Sequence, residues 1–261
     1  MIDFSYDNIP RFSAGEIKEL TAINPEMDIQ SFRVEELEYI KVLNFLKNPI
    51  DLRNFISIFP SEDKTKSILD GSDADSNSSS MAPGFQAPVP DTFFKSNLSI
   101  AYYNILKHYH MIKYDYSRIK WNYYTNCCYP GMPSYCANYR PHTDPFSFAL
   151  NLFLTENEES YTDFFRYKLK NNSYNYRGSR MNLNKNLIES KEDDAYNDSL
   201  MKDKKLGKWI RFESDDKYER YHSVSADFNS LTIYKGDFYH SIGYDVDNHK
   251  SIRYSLVGAI A

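Results

Sequence analysis

Three residues in the second half of the chain have the types and spacing of a metal site. His142 and Asp144 stand two positions apart in HTD. Side chains two positions apart on a strand point to the same face, so an imidazole and a carboxylate can reach one ion. A second imidazole, from His240, would complete a set of two histidines and one carboxylate. Such a set leaves coordination positions open on one side and is typical of non-haem Fe(II) oxygenases.

Arg253 and Ser255 have the types and spacing of an anion site. They stand two positions apart in the apolar run SIRYSLVGAI, so they share one face of a predicted strand. A guanidinium offers paired donors that match a carboxylate, and a hydroxyl two residues on can donate to the same group. The sequence therefore predicts that both residues bind a carboxylate beside the metal.

The other histidines of the β-rich half fit this arrangement less well. His222 is an alternative to His240, but Lys235 occupies the position that corresponds to Arg253. His249 lies in DVDNHK, a run typical of a polar turn. His240 is therefore the predicted second imidazole.

Taken in order, these residues resemble a known enzyme family. The pattern YRPHTD … NSLTIYKGDFYHS … RYS is similar to the metal motif of the Fe(II)/2-oxoglutarate-dependent oxygenase superfamily, in which HxD, a later His and then an Arg follow one another. YRPHTD resembles the YxPHxD stretch of the prolyl 4-hydroxylase-like branch. The resemblance covers roughly residues 119–261, and bacterial and phage relatives are similar in the same stretches, so a phage origin is open.

The resemblance implies a fold, co-substrates and roles. The fold is a double-stranded β-helix, a jelly-roll or cupin-like barrel, and the co-substrates are 2-oxoglutarate and O2, with succinate and CO2 released. Because related halogenases lack the carboxylate that Asp144 supplies, the implied outcome is hydroxylation. The implied roles are iron ligation by His142, Asp144 and His240, 2-oxoglutarate binding by Arg253 and Ser255, and a place in the pocket wall for Tyr139.

The elements that must position these residues differ between the two halves of the chain. Val34 to Phe59 has apolar residues at helical spacing, and Asp91 can cap a helix that runs to about Ile112. From Ile119 onward, short β-branched or aromatic runs alternate with polar turns, which is typical of an antiparallel sandwich or barrel. These runs are IKWNYYTNC, SYCANY, FSFALNLFL, TDFFRYK, KWIRFES, SLTIY and SIRYSLVGAI.

We therefore predict a single α+β domain over residues 1–261. Residues 1–118 are expected to be mainly helical support, interrupted by a Ser-, Asp-, Gly- and Pro-rich loop at 61–90. Residues 119–261 are expected to form the β core, with a charged insertion at 171–206. Within Phe146 to Leu154 the even positions are large and apolar and should pack on the helices, which turns the odd positions toward a pocket.

Asn151 is one of those odd positions. Its amide could donate to the co-substrate or substrate, or it could satisfy a neighbouring strand, and the sequence leaves both open.

Composition excludes several classes of protein. The chain has 261 residues and a formal net charge of −5, which disfavours binding to nucleic acid. The nucleic-acid demethylase branch of the family usually has a second Arg shortly after the first. Arg253 is followed by YSLVGAIA, without a second Arg, which also argues against action on nucleic acid. No apolar run approaches the roughly 20 residues of a membrane span, and the N-terminus lacks the pattern of a secretory signal, so we expect a cytoplasmic protein with reduced cysteines.

The substrate class stays open between a small molecule and a peptidyl side chain, and the oligomeric state is not readable. Two other functions are compatible with the pattern. One is a cupin-like metal protein with other chemistry, which would not need Arg253. The other is a non-enzymatic jelly-roll protein with a structural or interaction role, in which HTD is accidental.

Overall fold

The computed structural model contains mainly β-strands, with short helices on one side. It describes residues 13–57, 62–63, 85–88, 97–128, 141–144, 146–156, 159–169, 172–178, 211–244 and 252–260. The helices are α1 (Ala14–Leu20), α2 (Pro49–Ser57) and α3 (Asn97–His108), and none in the described part is long and apolar enough to cross a membrane.

Twelve strands are present in the described residues, and every paired ladder is antiparallel. They are β1 (Asp28–Val34), β2 (Leu37–Leu43), β3 (Glu62–Asp63), β4 (Phe85–Pro88), β5 (Trp121–Cys128), β6 (Phe148–Phe153), β7 (Ser160–Lys168), β8 (Tyr174–Asn175), β9 (Tyr218–Ser225), β10 (Ser230–Lys235), β11 (His240–Tyr244) and β12 (Arg253–Ile260). Eight of them form a large sheet in the order β1-β2-β10-β6-β12-β5-β4-β3. The small sheet is centred on β7, with β9 along one side and β11 and β8 along the other.

The prediction of a helix beginning at Val34 is wrong over its first part. Residues 37–43 form β2, and a helix starts only at Pro49. The physical reason is that β2 is covered on both faces. Leu37 and Tyr39 pack toward the small sheet, whereas Ile40 and Val42 pack toward the helices. A strand buried on both sides loses the apolar-polar alternation and cannot be told from a helix by periodicity.

The predicted strands of the second half are confirmed where they are described. β5, β6, β7, β10 and β12 overlap, in that order, the runs IKWNYYTNC, FSFALNLFL, TDFFRYK, SLTIY and SIRYSLVGAI, and their ends agree to within two residues. SYCANY lies outside the described residues, and the described part of KWIRFES is in no named strand. The predicted loop at 61–90 contributes β3 and β4 at the edge of the large sheet, and the insertion at 171–206 contributes β8.

Two cores lie on opposite faces of the large sheet. On one face, the even positions of β6 pack against α2 and α3, as the alternation predicts; this core includes Leu52, Phe55, Leu98, Tyr102, Leu150, Leu152 and Leu154. On the other face, Ala149 of β6 packs with residues of the small sheet, among them Phe164 and Val224. The space between the sheets is therefore bounded by the odd positions of β6.

A buried ion pair braces the outer face of the small sheet. Asp163 of β7 has no exposed surface, and it accepts hydrogen bonds from Arg211 Nε at 2.6 Å and from Ser223 Oγ at 2.6 Å. Gly243 of β11 leaves room for this carboxylate, since a Cβ there would lie 2.4 Å from Asp163 Oδ2. The pair joins β7, β9 and β11 to the chain that precedes β9.

Replacing Asp163 with asparagine should strongly destabilise the protein, because it leaves the half-buried Arg211 guanidinium without its counter-charge. We expect Asp163→Asn to lower the free energy of unfolding by about 3 kcal/mol in urea denaturation. The matched control is Asp216→Asn at an exposed position, which should change stability little. Equal effects of the two substitutions would contradict the assigned role of the ion pair.

Candidate metal centre

The site begins with a backbone bridge between the two predicted histidine ligands. His142 N–H donates to the carbonyl of His240 at 2.9 Å, and His240 N–H donates to the carbonyl of His142 at 2.8 Å. Two residues that exchange both hydrogen bonds in an antiparallel pair lie directly opposite each other with side chains on the same face. Their rings are accordingly adjacent, with centroids 4.6 Å apart.

A second backbone hydrogen bond brings Asp144 to the same place. Its N–H donates to the carbonyl of Gly236 at 2.7 Å, and its Oδ2 lies 3.4 Å from His240 Nε2. One ligand atom from each of His142, Asp144 and His240 lies within 4.8 Å of the other two. Two imidazoles and one carboxylate at this spacing fit a first-row divalent metal such as Fe(II).

The orientation of the His240 ring is set by the protein backbone. Its Nδ1 lies 2.9 Å from the carbonyl of Phe238, which accepts a hydrogen bond from the protonated Nδ1. That contact leaves Nε2, on the Asp144 side, as the ligand atom. A histidine ligand held by a carbonyl in this way is typical of protein metal sites.

The electrostatics of the site favour a positive charge between these groups. Burial disfavours a charged imidazole, but the Asp144 carboxylate and the Phe238 carbonyl together raise the pKa of His240 above its ordinary value. Burial likewise opposes the charge of Asp144, yet His240 and His142 lower the pKa of this carboxyl group. Asp144 is therefore ionised, and a metal would compete with a proton for the His240 nitrogen.

Two glycines allow the chain to approach the ligands closely. A Cβ at Gly236 would lie 2.4 Å from the Phe146 carbonyl oxygen and 3.1 Å from Asp144 Cβ. A Cβ at Gly178 would lie 2.7 Å from Cγ2 of Thr143, the residue between the two ligands of HTD. Both contacts are closer than side chains tolerate, so glycine is required for the HTD segment to lie where it does.

Arg253 and Ser255 lie on one face of β12, and both are buried. Arg253 Nε donates to Ser160 Oγ of β7 at 2.5 Å, and its guanidinium lies 5.1 Å above the ring of Phe153. Within the described part of the chain, no acidic side chain forms an ion pair with this guanidinium. Among the described residues its hydrogen-bond partner is the neutral Ser160, and a buried cation with a neutral partner is suited to binding an anion.

The inner face of β6 connects the guanidinium to the metal ligands. Phe153 lies beneath Arg253, and Asn151, two residues earlier on the same face, donates from Nδ2 to the hydroxyl of Tyr234 at 3.2 Å. The Tyr234 ring in turn packs edge to face on His240, with centroids 5.0 Å apart. Of the two roles left open for Asn151, the observed hydrogen bond is the one to a neighbouring strand.

Tyr139 lies outside the described residues, so its place in the pocket stays a prediction. Sequence reasoning missed the groups that hold the ligands in position: Gly236, Gly178, Ser160, Tyr234 and the Phe238 carbonyl. Only Gly236 carried a usable signal, since a glycine four positions before a ligand on a strand indicates a close backbone approach. Gly178 and Ser160 act through contacts between segments far apart in the chain. Tyr234 and the Phe238 carbonyl are close to His240 in the chain, but the sequence does not show which way they face.

No protein-family model matches the chain, and no curated protein is similar to it in sequence. Solved structures that resemble it include a prolyl-4-hydroxylase from Pseudomonas putida, at 12% identity and TM-score 0.40, covering 85% of this chain and 91% of that one. The non-heme alpha ketoglutarate dependent epimerase SnoN from nogalamycin biosynthesis gives 12% identity, TM-score 0.38 and coverages of 85% and 77%.

A third similar structure is EvdO2 from Micromonospora carbonacea var. aurantiaca, at 9% identity and TM-score 0.35, with 97% and 94% of the two chains covered. At these identities and TM-scores, the assignment of function rests on the geometry of the ligands themselves.

Gly236→Ala should weaken metal binding without unfolding the protein, because the added methyl group pushes the Phe146 carbonyl and Asp144 away from the β10–β11 turn. We expect the Kd for Fe(II), measured by anaerobic titration calorimetry, to rise about tenfold or more. The matched control is Gly15→Ala, whose Cβ meets no atom closer than 3.8 Å. An unchanged Kd in a folded Gly236→Ala variant would show that this glycine does not position Asp144.

Proposed function

We propose that the protein is an Fe(II)- and 2-oxoglutarate-dependent oxygenase that hydroxylates a C–H bond of a small molecule or of a peptidyl side chain. The observation that carries the proposal is the convergence of His142, Asp144 and His240. Only this set, among the described residues, groups three potential metal ligands. The buried guanidinium of Arg253 also lies between the sheets, where its positive charge could bind the carboxylate of a co-substrate. This second group supports the proposal.

Each residue has a role that follows from its chemistry. His142, Asp144 and His240 would hold Fe(II), and iron with 2-oxoglutarate bound supplies the activation of O2, with release of succinate and CO2. Arg253 would form an ion pair with the carboxylate of 2-oxoglutarate that does not bind metal, and Ser255 would donate to the same group. Ser160 holds the guanidinium in place through Nε, and the terminal nitrogens would donate to the anion.

The carboxylate of Asp144 favours hydroxylation among the reactions of such sites. It is ionised, it would occupy one coordination position of the metal, and the Gly236 carbonyl holds the residue by accepting its backbone N–H. A halide would need the coordination position that this carboxylate would fill, so halogenation is disfavoured. We propose the double-stranded β-helix as the fold of this oxygenase. Two antiparallel sheets and the backbone bridge between His142 and His240 support this fold.

The proposal is tested by anaerobic titration of the protein with Fe(II) and 2-oxoglutarate. We expect a visible metal-to-ligand charge-transfer band that needs both components and disappears in His142→Ala and Asp144→Ala. His108→Ala, at an exposed position of α3, should leave the band intact and serves as the control. Iron binding without the band would favour the cupin-like alternative, and no iron binding would favour the non-enzymatic jelly-roll alternative.

Arg253 should determine the affinity for 2-oxoglutarate and leave the affinity for iron unchanged. We expect Arg253→Met to raise the Kd for 2-oxoglutarate about tenfold to a hundredfold, since a charge-assisted hydrogen bond to a buried anion is lost. Arg253→Lys keeps the charge and should recover part of the affinity. The measurement is the midpoint of the same charge-transfer titration, with Fe(II) affinity measured separately. An equal loss of iron binding would contradict the assigned role.

A further inference from the structure

A tyrosine and a histidine form a hydrogen-bonded pair in the core between the sheets. Tyr39 of β2 and His222 of β9 come from opposite sheets, and the Tyr39 hydroxyl lies 3.0 Å from His222 Nε2. Burial raises the pKa of Tyr39, and burial lowers the pKa of His222 although the Asp163 charge opposes this. The phenol and the imidazole are therefore both neutral at neutral pH, with the imidazole able to accept the phenolic proton.

A continuous row of rings joins this pair to the metal ligands. Tyr39 stacks on Phe164 with centroids 6.4 Å apart, and Phe164 meets Tyr234 edge to face at 5.0 Å. Tyr234 meets His240 at 5.0 Å, also edge to face. Phe164 and Tyr234 are almost completely buried, so no water separates the rings along this row. Electron transfer is fast over gaps of this size, because tunnelling weakens steeply with the distance between donor and acceptor.

The row also reaches the protein surface. The ring of Phe32 on β1 stacks on Tyr39, with centroids 5.0 Å apart and planes 14° from parallel, and Phe32 is 36% exposed. Aromatic packing would explain the phenylalanines, but it does not require a histidine. His222 is a partly buried polar group that is hydrogen-bonded to the Tyr39 hydroxyl. The pair thus combines an oxidisable phenol, a proton acceptor and ring contacts toward both the metal ligands and the surface.

We infer that Tyr39 and His222 form a redox-active pair that supplies an electron to the metal site through Phe164, Tyr234 and His240. This inference rests on the proposed function, since it needs a redox-active metal at the site. In the step, the Tyr39 O–H bond breaks, its proton forms an N–H bond with His222 Nε2, and its electron would reduce by one electron the oxidant that a peroxide generates at the bound iron. The products are a neutral tyrosyl radical and an imidazolium.

The pair gives the protein a way to discharge an oxidant that forms without substrate. The oxidising equivalent leaves the metal ligands and comes to rest on Tyr39, away from His142 and Asp144. A one-electron reductant such as a thiolate, which is itself oxidised to a thiyl radical, can then return the electron at the exposed Phe32 edge, and His222 returns the proton to the phenol. Repeated cycles would protect the ligands from oxidation.

The test uses the full-length, Fe(II)-loaded protein, mixed with hydrogen peroxide without 2-oxoglutarate or substrate and frozen within seconds. Iron content is measured in the same samples. We expect an electron paramagnetic resonance signal of a tyrosyl radical, whose hyperfine pattern changes when the protein carries ring-deuterated tyrosine. Tyr39→Phe, which retains the stacked ring, should lose the signal, and His222→Gln should reduce its yield because the proton acceptor is gone.

The control is Tyr114→Phe, which removes an exposed tyrosine away from the row and should leave the signal unchanged. Tyr234→Phe should lower the yield of the Tyr39 radical, since an oxidisable ring is lost from the route. An iron-loaded protein that forms no tyrosyl radical, or the same radical in Tyr39→Phe, would overturn this inference and leave the proposed function standing. A protein that binds no iron would overturn both.

Discussion

The pair of backbone hydrogen bonds between His142 and His240 is the contact on which the rest of the site depends. It joins the segment before β6 to the first residue of β11, and it places two imidazoles side by side with no contribution from their side chains. The hydrogen bond from the Asp144 N–H to the Gly236 carbonyl extends the pairing of these two segments beyond His142 and His240. Backbone bonds of this kind fix position independently of metal, so the three ligands are organised in advance of binding.

The second constraint is that central strands of the large sheet are buried on both faces. β6 directs Leu150 and Leu152 to the helices and Ala149 and Asn151 to the space between the sheets. The helical layer therefore packs on the face of β6 opposite to the one that borders the site. One face of β6 therefore serves packing, and the other borders the candidate site. This explains why Ala149 and Asn151 are smaller or more polar than Leu150 and Leu152.

Buried charges are distributed over the two sheets in different ways. On the outer face of the small sheet, Asp163 is fully paired with Arg211 and Ser223, which is the arrangement of a structural ion pair. Between the sheets, the Arg253 guanidinium has Ser160 as its hydrogen-bond partner, and Asp144 faces His240. Groups that are satisfied internally stabilise the fold, whereas groups with remaining capacity suit ligands. The contrast separates the structural cluster from the candidate site.

The sequence by itself determined the ligand types, because HTD, a later His and RYS could be read directly. It also determined five strands of the second half, because their β-branched and aromatic runs end at polar turns. It did not determine β1 and β2, since a strand buried on both faces has no alternation to read. Nor could it show that Gly236 and the Phe238 carbonyl hold Asp144 and His240, or that Tyr39 meets His222. Phe238 is only two residues from His240, but residue types do not show where a backbone carbonyl points. Asp144 and Gly236, like Tyr39 and His222, are far apart in the chain, and only the pairing of distant segments brings them within hydrogen-bonding distance.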